Sequence, residues 1–166
     1  DSLGAFVLLK PKKSKLQIKL LEHEFEAAIA RASHPWAVLP GLIGLQVPRG
    51  NRWDTCRIPD IVVLPQDQWR TLKGKEAVIT LEQTPPILVV EVVSESTKTT
   101  DYRYKQVEYS ILGIPEYWIV DPLTDKVSIL ELIEGMYELE TFQGNEQIQS
   151  NTFPNFHITP AQLLDP

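Results

Sequence analysis

The run Ile87-Leu88-Val89-Val90-Glu91-Val92-Val93 is the most hydrophobic stretch of this chain, and a glutamate sits inside it. β-Branched residues framed by Pro85-Pro86 and Ser94 predict a strand buried on both faces. An ionised carboxylate is almost never found in such a strand unless it is paired or holds a metal, because removing it from water unpaired is expensive. Glu91 therefore needs a partner from elsewhere in the chain.

Composition narrows the setting. A chain of 166 residues suits one domain, spanning 1–166, with a sizeable core. Cys56 is the single cysteine, which excludes an internal disulfide and favours a reducing compartment. No apolar run approaches the roughly 20 residues that span a bilayer, and Asp1-Ser2-Leu3-Gly4 has no secretory character. The expectation is a cytoplasmic protein with no membrane partner. A net charge of −6 argues against strong nonspecific binding of polyanions. The basic residues are nonetheless uneven: Lys10, Lys12, Lys13, Lys15 and Lys19 cluster near the start, and Arg49, Arg52 and Arg57 precede Pro59-Asp60. That distribution permits phosphate contacts without requiring them.

Hydrophobic periodicity orders the elements. Residues 4–9 read as a strand. From Ser14, a plausible N-cap, to Ala32 the pattern is helical, with Leu20, Leu21, Phe25, Ala28, Ile29 and Ala32 on one face, ended by His34-Pro35. Strands follow at 42–47 and 61–64, then a polar loop over roughly 65–84 leads to the Glu91 strand. A second helix spans 99–112 with Tyr104, Val107 and Ile111 as its buried face, closed by Gly113 and Pro115. A strand at 117–120 and a hairpin of 127–133 and 136–142, turning at Glu134-Gly135, complete the order. This is an α/β arrangement, a mixed β-sheet flanked by helices with an additional C-terminal β-hairpin.

Three residues are candidate companions for Glu91. Asp60 follows Pro59, which presents it at the start of an extended segment. It reads either as a turn-capping aspartate, with Glu91 paired to an arginine, or as a second carboxylate sharing a divalent cation with Glu91. Lys105 lies in a row with Asp101 and Glu108 beside the predicted apolar face. It either reaches over the Glu91 strand or forms an exposed i,i+4 pair with Asp101. Glu24 interrupts the apolar face of the first helix, either as a further metal or water ligand or as a side chain turned to solvent. Other chemistries lack their residues. His23, His34 and His157 have no ligand spacing, and neither a P-loop, a G-x-G-x-x-G nor a G-x-S-x-G is present. Trp53 and Trp118 read as rim or core aromatics.

Arg57-Ile58-Pro59-Asp60-Ile61-Val62-Val63, Pro86 to Ser94, Asp101 to Lys105 and Gly113 to Pro122, taken in order, resemble the Uma family, a bacterial branch of the restriction-endonuclease-like PD-(D/E)XK superfamily. The resemblance runs from about Gly44 to the end. It implies a restriction-endonuclease-like fold and metal-dependent hydrolysis of phosphodiester bonds. Asp60 and Glu91 would hold Mg²⁺ or Mn²⁺ together with the backbone carbonyl of Val92, and Glu24 is a further candidate ligand. The superfamily's lysine two residues after the glutamate is Val93 here; Lys105 matches those members in which it has moved to the following helix. The implied substrate is DNA, or RNA. The alternative is a catalytically inactive nuclease-fold protein acting as an interaction or nucleic-acid-binding module. Nucleases of this fold often pair to cut both strands, so a homodimer is expected, with the 127–142 hairpin and the Phe153/Phe156 tail as candidate interfaces.

Overall fold

The computed structural model describes residues 7–8, 15–95 and 99–165, with side chains for 15–95 and 102–165. In chain order the elements are β1 (Val7–Leu8), α1 (Lys15–Ala32), β2 (Trp36–Pro40), β3 (Gly44–Arg49), β4 (Arg52–Arg57), β5 (Ile61–Pro65) and α2 (Gln66–Leu72). They continue as β6 (Val78–Ile79), β7 (Leu88–Val92), α3 (Thr99–Leu112), β8 (Glu116–Asp121), β9 (Lys126–Ile133), β10 (Met136–Gln143) and α4 (Pro160–Leu164). The Ser14 cap and most of the predicted first strand lie outside the described residues.

Six strands form one sheet in the order β10-β9-β8-β7-β5-β2. Neighbours are antiparallel except β7 and β8, which are parallel and joined by the crossover helix α3. β7 lies inside this sheet with apolar residues filling both faces, as its composition requires. Leu88, Val90 and Val92 join the core beneath α1, whereas Val89 joins the core on the other side. The second core is closed by α3 and by a four-stranded sheet ordered β1-β4-β3-β6.

The structure adds elements that periodicity did not show. The predicted loop at 65–84 contains α2 and β6. β2 and β4 were also unannounced. β4 reads Arg-Trp-Asp-Thr-Cys-Arg, a polar string whose last residues are buried only because β3 and the other layers cover them. Ala32 is exposed rather than buried, since α1 ends there and Ser33 takes a positive φ of 56°. The β9–β10 turn has the geometry its residues predict, with φ of 50° at Glu134 and 82° at Gly135, as a type I′ turn requires.

The C-terminal tail contributes side chains to the core. Phe153 and Phe156 are buried against Phe25, which stacks on Phe153 at 5.0 Å and meets Trp118 edge-on at 5.1 Å. Buried Glu116 anchors this segment through four donors: Trp118 Nε1, Ser150 Oγ, and the amide and hydroxyl of Thr152. The hairpin does present Met136 and Leu139 to solvent.

Because Phe25 is fully buried and joins α1, β8 and the tail, Phe25→Ala should lower unfolding free energy by about 3–5 kcal/mol. Urea denaturation followed by tryptophan fluorescence measures this. A loss below about 1 kcal/mol would show that the tail is not part of the cooperative core.

Candidate active site

β5 and β7 pair with Ile61 opposite Val90 and Val62 opposite Val89. Asp60 lies just before β5, and its amide donates to the Val90 carbonyl at 3.0 Å, one residue out of the register of the β5–β7 ladder. The pleat of β7 puts Glu91 on the same face as Val89. Alternation fixes which face it is: Val62, Val89 and Glu91 project toward α3 and the four-stranded sheet, away from α1. Asp60 is further held by its Oδ2, which accepts from the Val92 amide at 2.7 Å.

Glu91 is 1% exposed and receives partners from α3. The Tyr109 hydroxyl donates to Oε2 at 2.6 Å, and Lys105 Nζ lies 3.3 Å from Oε1. Lys105 is fully buried, with its ammonium also 4.9 Å from the centre of the Tyr102 ring, a cation–π contact. Desolvation first, and the Glu91 charge second, push the Tyr109 hydroxyl well above the usual tyrosine range. It therefore stays protonated and can only donate to the carboxylate. Tyr117 packs edge-on to Tyr109 at 5.0 Å and is shifted the same way by the same causes.

A second buried ion pair adjoins the first. Arg57, the last residue of β4, donates through Nε to Oε1 of Glu108 on α3, with both side chains enclosed. The described buried charges on this face are thus the carboxylates of Asp60, Glu91 and Glu108 against the cations of Arg57 and Lys105. Their formal sum is one negative charge.

Of the residues expected from the sequence, Lys105 meets Glu91 directly, and Asp60 reaches the amide of Val92 beside it. Lys105 is not half of an exposed pair with Asp101, whose side chain lies outside the described residues. Val92 meets the site through its amide. Val93 is a buried core residue at the position of the superfamily lysine. Glu24 is half-buried on α1, whose apolar side chains join the core on the opposite face of the sheet, so the structure does not bring it to Glu91. Among the described residues no three His, Cys, Asp or Glu side chains gather as a metal cluster.

The expected face of α3 is a correction. Tyr104, Val107 and Ile111 are more than half exposed, while Tyr102, Lys105, Glu108 and Tyr109 are buried. The helix is turned so that its polar row meets the carboxylate and arginine beneath it, against the apolar pattern. Tyr109 and Glu108 were missed as site residues; their only sequence signal is the i+4 and i+3 spacing from Lys105. Cys56 is excluded as a nucleophile, since burial, aided by the Glu76 charge, raises its thiol to about 11.

The mixed sheet flanked by helices is a nuclease-like fold. The chain belongs to the Uma2 family, described as "Putative restriction endonuclease", whose model matches residues 9–161. Its fold is shared by a solved structure described as a "putative nuclease belonging to DUF820" from Anabaena variabilis. That structure aligns with a TM-score of 0.70 at 15% identity, over 93% of this chain and 82% of the other. No curated protein matches.

Removing one partner of a buried ion pair strands the other charge, at a cost of about 3–5 kcal/mol. Lys105→Met should lower stability by about that amount, and Tyr109→Phe by about 1.5–3 kcal/mol for a lost hydrogen bond to a charged group. Denaturant midpoints check both. Wild-type stability in Lys105→Met would mean that the Glu91 charge is neutralised by other groups.

Proposed function

We propose that this chain is a metal-dependent endonuclease hydrolysing phosphodiester bonds, with DNA as its substrate in preference to RNA. The observation that carries this reading is buried Glu91 met by Lys105, with Asp60 bonded to the amide of Val92 next to it. Membership of a family described as a restriction endonuclease supports it.

The donor set suits a hard cation. Two carboxylates, the Val92 carbonyl, waters and substrate oxygens are how Mg²⁺ or Mn²⁺ is typically held. Asp60 and Glu91 would hold the ion. When bound, the ion would polarise a phosphoryl oxygen and lower the pKa of a coordinated water. Lys105 carries a positive charge beside Glu91 and would stabilise negative charge developing on the phosphate. Tyr109 fixes the orientation of the Glu91 carboxylate by binding Oε2. The Tyr117 hydroxyl, buried on the same face, has no hydrogen-bond partner among the described residues and would accept one from an entering water.

Burial of the site favours the second reading, an inactive nuclease-fold module in which Lys105 neutralises Glu91 permanently. Asp60, Glu91 and Lys105 are each no more than 3% exposed, so turnover requires the cover to open.

The test is cleavage of single- and double-stranded DNA by the purified chain with Mg²⁺ or Mn²⁺. Cleavage should require the metal and fall by about 10²-fold or more in Asp60→Ala, Glu91→Ala and Lys105→Ala. Equal cleavage by all four proteins would identify a contaminant or a different site. DNA binding without cleavage by the wild type would select the inactive module.

A further inference from the structure

The rotational setting of α3 conflicts with its own apolar pattern. Tyr104, Val107 and Ile111 recur at i, i+3 and i+7, the spacing of a core-facing stripe, yet they face solvent. The buried row is displaced by one residue, or about 100° around the helix, and contains Lys105 and Glu108. The buried face also carries Tyr102, Tyr109 and the partly buried Leu112, so apolar burial alone does not decide between the two settings. Something specific must hold the polar row inward.

We propose that the Arg57–Glu108 ion pair is the positioning device that fixes the rotation of α3 and so delivers Lys105 and Tyr109 to Glu91. Glu108 lies three residues after Lys105 and one before Tyr109, so all three share one face of the helix. Arg57 ends β4 only three residues before Asp60, which ties its location to the same stretch of chain. Its guanidinium is planar and donates in fixed directions, which sets an angle more sharply than apolar contacts do. A buried ion pair is seldom the most stabilising way to fill such a space; an apolar pair of similar volume often does as well. Its value here is orientation. With the pair absent, α3 turns toward its apolar stripe and Lys105 moves out from Glu91. The functional consequence rests on the nuclease reading, but the geometry does not.

The experiment reads Lys105 directly, by the rate at which its amine is acetylated in the folded chain, followed by peptide mass spectrometry. In Arg57→Met/Glu108→Gln, which removes both charges with little change in volume, acetylation of Lys105 should accelerate at least tenfold while cooperative unfolding is retained. Adding Val107→Gln and Ile111→Gln, which removes the competing apolar stripe, should restore slow acetylation. A merely structural ion pair predicts no such rescue. Should the charge-free variant not fold, Val107→Gln/Ile111→Gln alone supplies the answer, because it alters only exposed side chains; Lys105 should then be acetylated more slowly than in wild type. Lys105 as protected in the folded charge-free variant as in wild type, or unaffected by loss of the stripe, overturns the proposal. None of these readings depends on cleavage, so failure of the nuclease assay and failure of this proposal remain distinguishable.

Discussion

Glu91 stands on a strand whose neighbours fill both faces of the sheet with apolar side chains, so its charge has no route to water along its own element. Everything that meets it must come from another part of the chain. Asp60 reaches the amide of the next residue, Val92, from the bend before β5; Lys105 and Tyr109 arrive by the docking of a crossover helix, and that docking is accompanied by a second ion pair. The four-stranded sheet supplies the arginine of that pair and part of the apolar wall. The burial of one carboxylate thus ties together two sheets and a helix.

A second buried glutamate shows what an acid with a different role looks like. Glu116 stands on β8 at the other face of the same sheet, and it accepts from neutral groups at both oxygens, all but one brought by the C-terminal segment. It fastens the tail whose phenylalanines complete the core around Phe25. Glu91 instead meets a lysine, and a second acid, Asp60, bonds the amide of the residue after it. Carboxylates saturated by neutral donors hold structure; carboxylates gathered among charges suit chemistry on a cation or an anion.

The sequence made Glu91 conspicuous because a charge in a β-branched run violates a local rule, and the Pro-Asp step before another apolar run led to Asp60 in the same way. Strands with clear apolar runs, the crossover helix and the type I′ hairpin were legible for similar reasons: their signals are local. β4 was not, because a polar string becomes buried only through the layers that cover it. Tyr109 and the Arg57–Glu108 pair were not, because their meaning depends on contacts between residues as far as 51 positions apart. The face of α3 was misread for a more instructive reason. Periodicity measures the apolar preference of a helix in isolation, and here Tyr102 and Tyr109 are buried with Lys105 and Glu108 in place of that stripe.

That misreading bears on where the site keeps its lysine. A lysine two residues after the glutamate would share its face of the strand, about 6–7 Å along, and its position would follow from the pleat alone. In this chain that position is occupied by Val93, which packs into the core and whose amide bonds to Val120. The lysine beside Glu91 comes from α3 instead, so its position depends on how the helix is docked. A site built this way is only as well ordered as that docking. Tyr104, Val107 and Ile111 stay exposed while Tyr102 and Tyr109 are buried, so apolar side chains lie on both sides of the helix and do not fix the docking alone. The contact of Lys105 with Glu91 therefore follows the setting of α3 rather than the pleat of β7.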